Sequence, residues 1–326
     1  MKAALQRRFG SPEVLEIADV PRPSPGQGQV LVKVRAASIN SYDWHLLRAD
    51  PVLVRLAEGP FRPRRQIPGA DVAGTVEAVG ARAEGFSPGD AVYGCLDSCG
   101  SGGFAEYVCA KASVLAPKPA GLSFEQAAAV PMAAVTALQG LRRLGGIGPG
   151  QRVAVNGASG GVGSFAVQIA KADGAEVTAV CSARNLGLAR EMGADHVVDY
   201  AREDFTRSGR RYDLILDVAA NHGFADYKRA LTPQGICVVV GMSTLAHHAL
   251  HVVAPKALRS RKDGQRLAML MADNSKGADL LAMNGLLASG AVAPLVEAAY
   301  PLDRIREAFR RFEREHARGK LVITVQ

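Results

Sequence analysis

Apolar and polar residues alternate along the first third of the chain in short runs. In QVLVKVRAAS, Val30, Val32 and Val34 fall on one face at the period of a half-buried strand. DVAGTVEAVG, DAVYG and FAEYVCA read as further strands, and PRPSPGQG and FSPGD supply the turns between them. Residues 1–123 are thus expected to form a small, irregular β domain. From Phe124 the texture changes to an Ala-rich helix followed by strands and helices in alternation. RVAVN is a strand, GASGGVG a loop, and SFAVQIAKADGA a helix ended by Gly174; EVTAVC and RNLGLAREMGA repeat the unit. HVVDY, YDLILDV, GICVVVG and RLAMLM follow as strands, with FADYKRAL as a crossover helix. This order predicts an α/β domain over 124–273, a parallel sheet with helices on both faces. After Asn274 come an amphipathic helix, the segment AYPLDRIREAFRRFE and a closing strand, LVITV.

Composition narrows the class without naming a function. The chain has 326 residues, and at ~150 residues per domain that favours two domains. A hydrophobic share of 48% with 21% charged residues is ordinary globular usage and excludes disordered, collagen-like and coiled-coil proteins. The net charge of +8 could attract phosphate, but it is scattered arginine with only 6% aromatic residues, so nucleic acid is not expected as a partner. Five cysteines make an odd count, and MKAALQRR lacks the apolar stretch of a signal peptide, which together point to a reduced, cytoplasmic setting. The longest stretch free of Asp, Glu, Lys and Arg, 230–255, is broken by Pro, Gly and three His, so no membrane span is expected.

The most informative motif is Ala158-Ser159-Gly160-Gly161-Val162-Gly163, directly after a predicted strand and opening a predicted helix. A dinucleotide loop needs small residues there, because the turn is tight and the pyrophosphate approaches backbone N–H groups at the helix N-terminus. Ala158 stands where the first glycine is usual. About twenty residues on, where a carboxylate would grip the ribose of NAD, the chain reads Cys181-Ser182-Ala183-Arg184-Asn185. Ser182 can donate a hydrogen bond and Arg184 a charge-assisted one to a 2′-phosphate, which favours NADPH. The plainer alternative makes Arg184 a solvated residue at a helix start.

The loop GASGGVGSFAVQIAK, with IPGADVAGTVEAVG, FSPGDAVYG, FAEYV, AVPMAAVTAL and HARGKLVI, resembles the medium-chain dehydrogenase/reductase superfamily, in its zinc-free quinone oxidoreductase branch. The resemblance implies a GroES-like β domain over 1–123 completed by 274–326, a six-stranded Rossmann domain over 124–273, and a cofactor cleft between them. It also implies a homodimer. Alcohol dehydrogenases of the superfamily hold a catalytic zinc through a cysteine and a His-Glu pair, whereas this chain reads Gly69-Ala70-Asp71 and AASIN at those places. A catalytic zinc needs three protein ligands, so no metal is expected. Cys95, Cys99 and Cys109 lack the spacing of the structural zinc lobe and read as small buried side chains.

By the same resemblance, Asn40 lies near the nicotinamide ribose, Thr136 beside the nicotinamide, and Ser159 to Val162 on the pyrophosphate. Tyr200 falls beside the adenosine phosphate, Asn221 near the cofactor, and Gly241, Met242, Ser243 and Thr244 in the turn after the fifth strand. Asp43 reads equally as a helix cap, Tyr200 also as a core residue, and Lys320 as structural. The expected reaction is hydride transfer from NADPH to an electrophilic small molecule, a quinone or an α,β-unsaturated carbonyl compound, with Asn40 and Tyr42 as catalytic candidates. The proton comes from Tyr42, from His45 or from water; Tyr42 ranks above His45 and reads equally as a packing residue. Arg62, Arg64 and Arg65 attract an anionic acceptor or face water, the second being favoured. His247, His248 and His251 suggest a metal only weakly and read better as a loop or interface. Two other readings stay open: a cofactor-binding protein with little catalysis, such as a redox sensor or RNA-binding relative, and a pathway-specific enoyl or carbonyl reductase.

Overall fold

The N-terminal segments Lys2–Gln6 (β1) and Leu15–Asp19 (β2) pair antiparallel, and the alternating run beyond them becomes β3 (Gln29–Ser38). Most of β3 is buried, with Gln29 and Lys33 half-buried and Arg35 exposed, and other strands pair along both of its edges. The structure, a computed structural model, describes residues 1–240, 264–275, 277–314 and 318–325. Contacts divide the chain into one unit of Met1–Val135, Asp273–Ala288 and Pro294–Gln326, and a second of Thr136–Ala272 with Ser289–Ala293.

The first unit continues with α1 (Ser41–Arg48), α2 (Val54–Glu58), β4 (Asp71–Val79), β5 (Ala91–Cys95), β6 (Tyr107–Lys111), β7 (Leu115–Pro117) and α3 (Phe124–Ala128). From the C-terminal part of the chain it receives α8 (Ala278–Ala288), β14 (Val296–Pro301), α9 (Ile305–Arg314) and β15 (Lys320–Thr324). Its sheet runs β14-β15-β3-β4-β5-β7, with β6 also paired to β3. The closing strand thus hydrogen-bonds to the first long one, Val322 opposite Ser38 and Ile323 opposite Ala37. On α9 the apolar residues Ile305, Ala308 and Phe309 share one buried face, and the Phe309 ring meets Phe104 edge-on at 5.9 Å. The helix predicted after Asn274 is present as α8, with Leu280, Met283 and Leu287 turned inward.

Helix α4 (Pro131–Leu138) runs into a π-helical turn, Gln139–Leu144. The second unit then alternates as the sequence predicts: β8 (Arg152–Asn156), α5 (Gly161–Ala172), β9 (Glu176–Cys181), α6 (Leu186–Glu191), β10 (His196–Asp199), β11 (Tyr212–Asp217), α7 (Phe224–Ala230), β12 (Leu231–Val240) and β13 (Arg266–Leu270). The six strands are parallel in the order β10-β9-β8-β11-β12-β13. This is the doubly wound Rossmann sheet. Its order reverses between β8 and β11, so the loops leaving the C-terminal ends of those strands border the position where such sheets bind ligands. The strands end in register, Asn156 opposite Asp217.

Candidate functional site

At the end of β8, Gly157 adopts φ +87°, a left-handed turn that a side chain would strain. The N–H groups of Gly157 and Ala158 both donate to Val180 O, at 3.1 and 3.0 Å, which ties the loop to β9. Ala158 is fully buried, so its methyl is accommodated where glycine is usual. Gly160 caps α5 without a side chain, and the N–H groups of Gly161, Val162 and Gly163 form the first turn, which has no intrahelical acceptors. A Cβ on Gly163 would lie 2.1 Å from Gly157 O, so only glycine lets helix and loop approach this closely. A Cβ on Gly160 would meet nothing nearer than 3.6 Å, so the protein's own packing does not demand glycine there.

The neighbouring strand end carries Ser182, half-buried, and Arg184, exposed. Buried Asn185 donates from Nδ2 to Ser159 Oγ at 2.8 Å and to Ser182 Oγ at 3.2 Å, joining the loop to the end of β9. Tyr200 is 53% exposed, which overturns its alternative reading as core. Its N–H donates to Cys181 O at 3.2 Å, placing it beside the same strand end. Thr136 is buried in α4. Between β8 and β11 a polar cluster is built on buried Asp217, whose Oδ1 accepts from Asn156 Nδ2 at 2.8 Å and Ala220 N at 2.9 Å, and whose Oδ2 accepts from Tyr227 OH. Asn156 Nδ2 also donates to Asn221 Oδ1 at 2.8 Å.

In the first unit, Asn40 and Asp43 frame the start of α1. Asp43 is fully buried; its Oδ2 accepts from Asn40 N at 2.9 Å and its Oδ1 from Ala70 N at 3.0 Å, so the carboxylate does serve as a cap. The Asn40 amide is spent internally: Nδ2 donates to Asp71 Oδ2 at 3.0 Å, and Oδ1 accepts from Lys320 Nζ. Asp71 also accepts from Ser38 Oγ at 3.1 Å and Met132 N at 3.0 Å, and lies 3.7 Å from the Lys320 ammonium. Burial pushes the Asp43 carboxyl up to about 7, with Asp71 adding to the rise, and it likewise lifts Asp71 and lowers Lys320.

Tyr42 is half-buried, and its oxygen accepts from Arg65 Nη1 at 2.5 Å. Burial raises its hydroxyl to about 12, partly offset by the Arg65 charge. Arg65 also donates to Asp97 O at 3.2 Å and pairs with buried Glu58 at 3.6 Å. The preferred expectation for the three arginines, that they only face water, therefore fails at Arg65, while Arg62 and Arg64 are exposed. His45 Nδ1 contacts Asp50 O.

The family model for the alcohol dehydrogenase GroES-like domain matches residues 26–120, and that for the zinc-binding dehydrogenase matches 192–323. A chloroplastic quinone oxidoreductase of Triphysaria versicolor is 34% identical over 320 residues, 95% of this chain and 93% of that protein. The chain belongs to the medium-chain dehydrogenase/reductase superfamily, in its quinone oxidoreductase-like branch. The 2-methylene-furan-3-one reductase of Solanum lycopersicum is 32% identical, covering 99% of this chain and 79% of its own. Among solved structures, the quinone oxidoreductase of Coxiella burnetii superposes with a TM-score of 0.88 at 29% identity, over 100% of this chain and 99% of that one.

Zinc-binding members of the superfamily raise the question of a metal here. The residues present do not fit one: Asp71 is consumed by Asn40, Ser38, Met132 N and Lys320, whose ammonium lies where it would repel a dication. Among the described residues, no three His, Cys, Asp or Glu side chains converge as ligands. All five cysteines are unpaired; Cys95 is buried, but Cys99 and Cys109 are only half-buried. A pyrophosphate, by contrast, fits the free first turn of α5 and the open side of Gly160.

Gly241, Met242, Ser243, Thr244 and the three histidines at 247, 248 and 251 lie outside the described residues, as does the segment to which the dimer expectation attached. Among the described residues, no helix is long and apolar enough to cross a membrane. In the second unit Gly157, Asn156, Asp217 and Asn185 join the loop and strand ends described above, and in the first unit Asp71 joins Asn40 and Asp43; none of these five is assigned a site role from sequence. A glycine immediately after an apolar strand is a signal that would have found Gly157, and the lone polar residue ending RVAVN would have found Asn156.

Proposed function

We propose that the protein is an NADPH-dependent reductase of quinones or α,β-unsaturated carbonyl compounds that works without zinc. The observation that carries the reading is the phosphate cradle: unsatisfied N–H groups opening α5, and Gly160, whose lack of a side chain the fold does not require. Ser159 and the first turn would hold the pyrophosphate, Ser182 and Arg184 a 2′-phosphate, and Tyr200, Thr136 and Asn221 the rest of the cofactor. No carboxylate follows β9 to repel that phosphate.

Bound there, NADPH supplies hydride from its nicotinamide. The acceptor class is supported by the quinone oxidoreductase and the 2-methylene-furan-3-one reductase, whose named compounds share a carbonyl conjugated to a carbon–carbon double bond. Reduction adds one hydride and one proton, and Tyr42 is assigned the proton. Its oxygen already accepts from Arg65, so the hydroxyl hydrogen points elsewhere, and the guanidinium stabilises the phenolate left after transfer. Buried Lys320 takes the place of a dication beside Asp71, so no Lewis acid is invoked. Asn40 acts by holding α1, and with it Tyr42, on Asp71 and Lys320. Five unpaired cysteines support a reducing compartment, which we take to be the cytoplasm.

The test follows loss of reduced nicotinamide absorbance with a panel of quinones and enones; no turnover with any acceptor refutes the activity. Arg184→Ala tests the cofactor: the preference for NADPH over NADH falls by about 1.5–3 kcal/mol, the worth of a charge-assisted hydrogen bond. An unchanged preference removes Arg184 from the site.

A further inference from the structure

His222 stands beside the polar cluster at the end of β11 and has no role in the reading above. Its Nδ1 meets Asn221 Oδ1 at 2.9 Å, and its Nε2 faces Asp204 Oδ1 at 3.4 Å. The ring is packed edge-on against Phe205 at 5.1 Å and tilted against Tyr227 at 6.1 Å. Asp204 is itself fixed, accepting from Thr206 N at 2.9 Å and Thr206 Oγ1 at 2.7 Å. Asn221 is exposed, yet its Oδ1 receives two contacts, from His222 and from Asn156, whose own nitrogen is anchored on Asp217.

These contacts settle which way the Asn221 amide lies. Asn156 Nδ2 can only donate, so the Asn221 atom it meets is the oxygen, and His222 must present a protonated Nδ1 to the same oxygen. With the oxygen held from two sides, the amide N–H2 edge is the one left over, and among the described residues it meets no acceptor. A flexible, exposed asparagine thus becomes a fixed donor at the topological switch point.

We propose that His222, packed between Phe205 and Tyr227, is a positioning residue that locks the Asn221 amide with its two N–H donors presented to the bound cofactor. The inference rests on the cofactor reading above, and wild-type binding of NADPH tests that reading separately. His222→Leu and His222→Asn are a matched pair: similar in size and alike in losing the ring, they differ in whether an amide nitrogen remains near the place of Nδ1. Titration with NADPH, followed by its fluorescence and without any acceptor, is expected to show binding about tenfold weaker for His222→Leu and within about twofold of wild type for His222→Asn. Because His222 acts through Asn221, the double variant Asn221→Ala/His222→Leu binds no more weakly than Asn221→Ala alone. Equal affinities for the Leu and Asn variants, or losses that add in the double variant, overturn the proposal. Wild-type protein that binds neither NADPH nor NADH overturns the cofactor reading instead.

Discussion

Lys320 offers a direct measure of how the first unit tolerates buried charge. Its ammonium is 4% exposed, donates to Ile39 O at 3.0 Å and to Asn40 Oδ1, and lies 3.7 Å from Asp71, which is fully buried. Lys320→Met keeps most of the side chain's bulk and removes only the charge and its hydrogen bonds. It leaves Asp71 and Asp43 buried together without a cation and strands the Asn40 oxygen. Removing one partner of a buried pair costs about 3–5 kcal/mol, because the surviving charge remains desolvated. Asp71→Asn added to Lys320→Met deletes that charge, so the double variant should recover about 2 kcal/mol or more of the loss. Trp44 is the only tryptophan and lies in α1 of the same unit, so its fluorescence during urea unfolding reports this unit directly. A loss below about 1 kcal/mol for Lys320→Met, or a double variant that is no more stable than the single one, would refute the view that Lys320 neutralises the carboxylates.

Asp43 predicts a pH dependence. Its folded value of about 7 lies above the ordinary 3.8, so the group favours the folded state when protonated. That stability is fully present below about pH 4, is lost between about 4 and 7, and stays level above. Asp43→Asn should flatten this part of the profile, by at most about 4 kcal/mol at 1.36 kcal/mol per pH unit, and an unchanged wild-type-minus-variant difference across that range contradicts it. Gly163→Ala places a Cβ 2.1 Å from Gly157 O and should cost at least about 1–3 kcal/mol in urea unfolding while abolishing NADPH binding; retained binding would show that the loop can move. Tyr42→Phe should slow single-turnover reduction about 100-fold or more with NADPH affinity unchanged, and an unchanged rate assigns the proton to another donor.

Regular structure was legible because its cause is local. The strand RVAVN, the glycines after it and the helix SFAVQIAKA carry period, turn and cap within a few residues of one another, and each appears as β8, Gly157 to Gly160, and α5. The sixth strand, RLAMLM, was read from its apolar run alone and forms β13. The polar networks were not legible, since their partners lie far apart in sequence. Lys320 reaches Asn40 across 280 residues, and Trp44 Nε1 donates to Glu313 across 269. No spacing rule connects such pairs. Arg65 is hidden in part for the same reason: its place in a basic run suggests solvent, while Tyr42 and Asp97 O reach it from 23 and 32 residues away, and only Glu58 lies close by in sequence.

This division follows from what each interaction does. Helices and strands form wherever apolar period and backbone hydrogen bonding agree, so a short window suffices to recognise them. A buried carboxylate such as Asp71 costs free energy until particular donors meet it, and the fold must already exist to bring them. The two carboxylates at the start of α1 and β4, with a lysine from β15, are therefore readable only after the strands that carry them are paired. If that reasoning holds, substitutions on α5 should act on nucleotide binding whatever the state of the first unit. Changes at Lys320 or Asp71 should shift the stability of the first unit, where Tyr42 resides, and leave NADPH affinity near the wild-type value. Fluorescence titration of the Lys320→Met variant under conditions where it is folded decides between these outcomes.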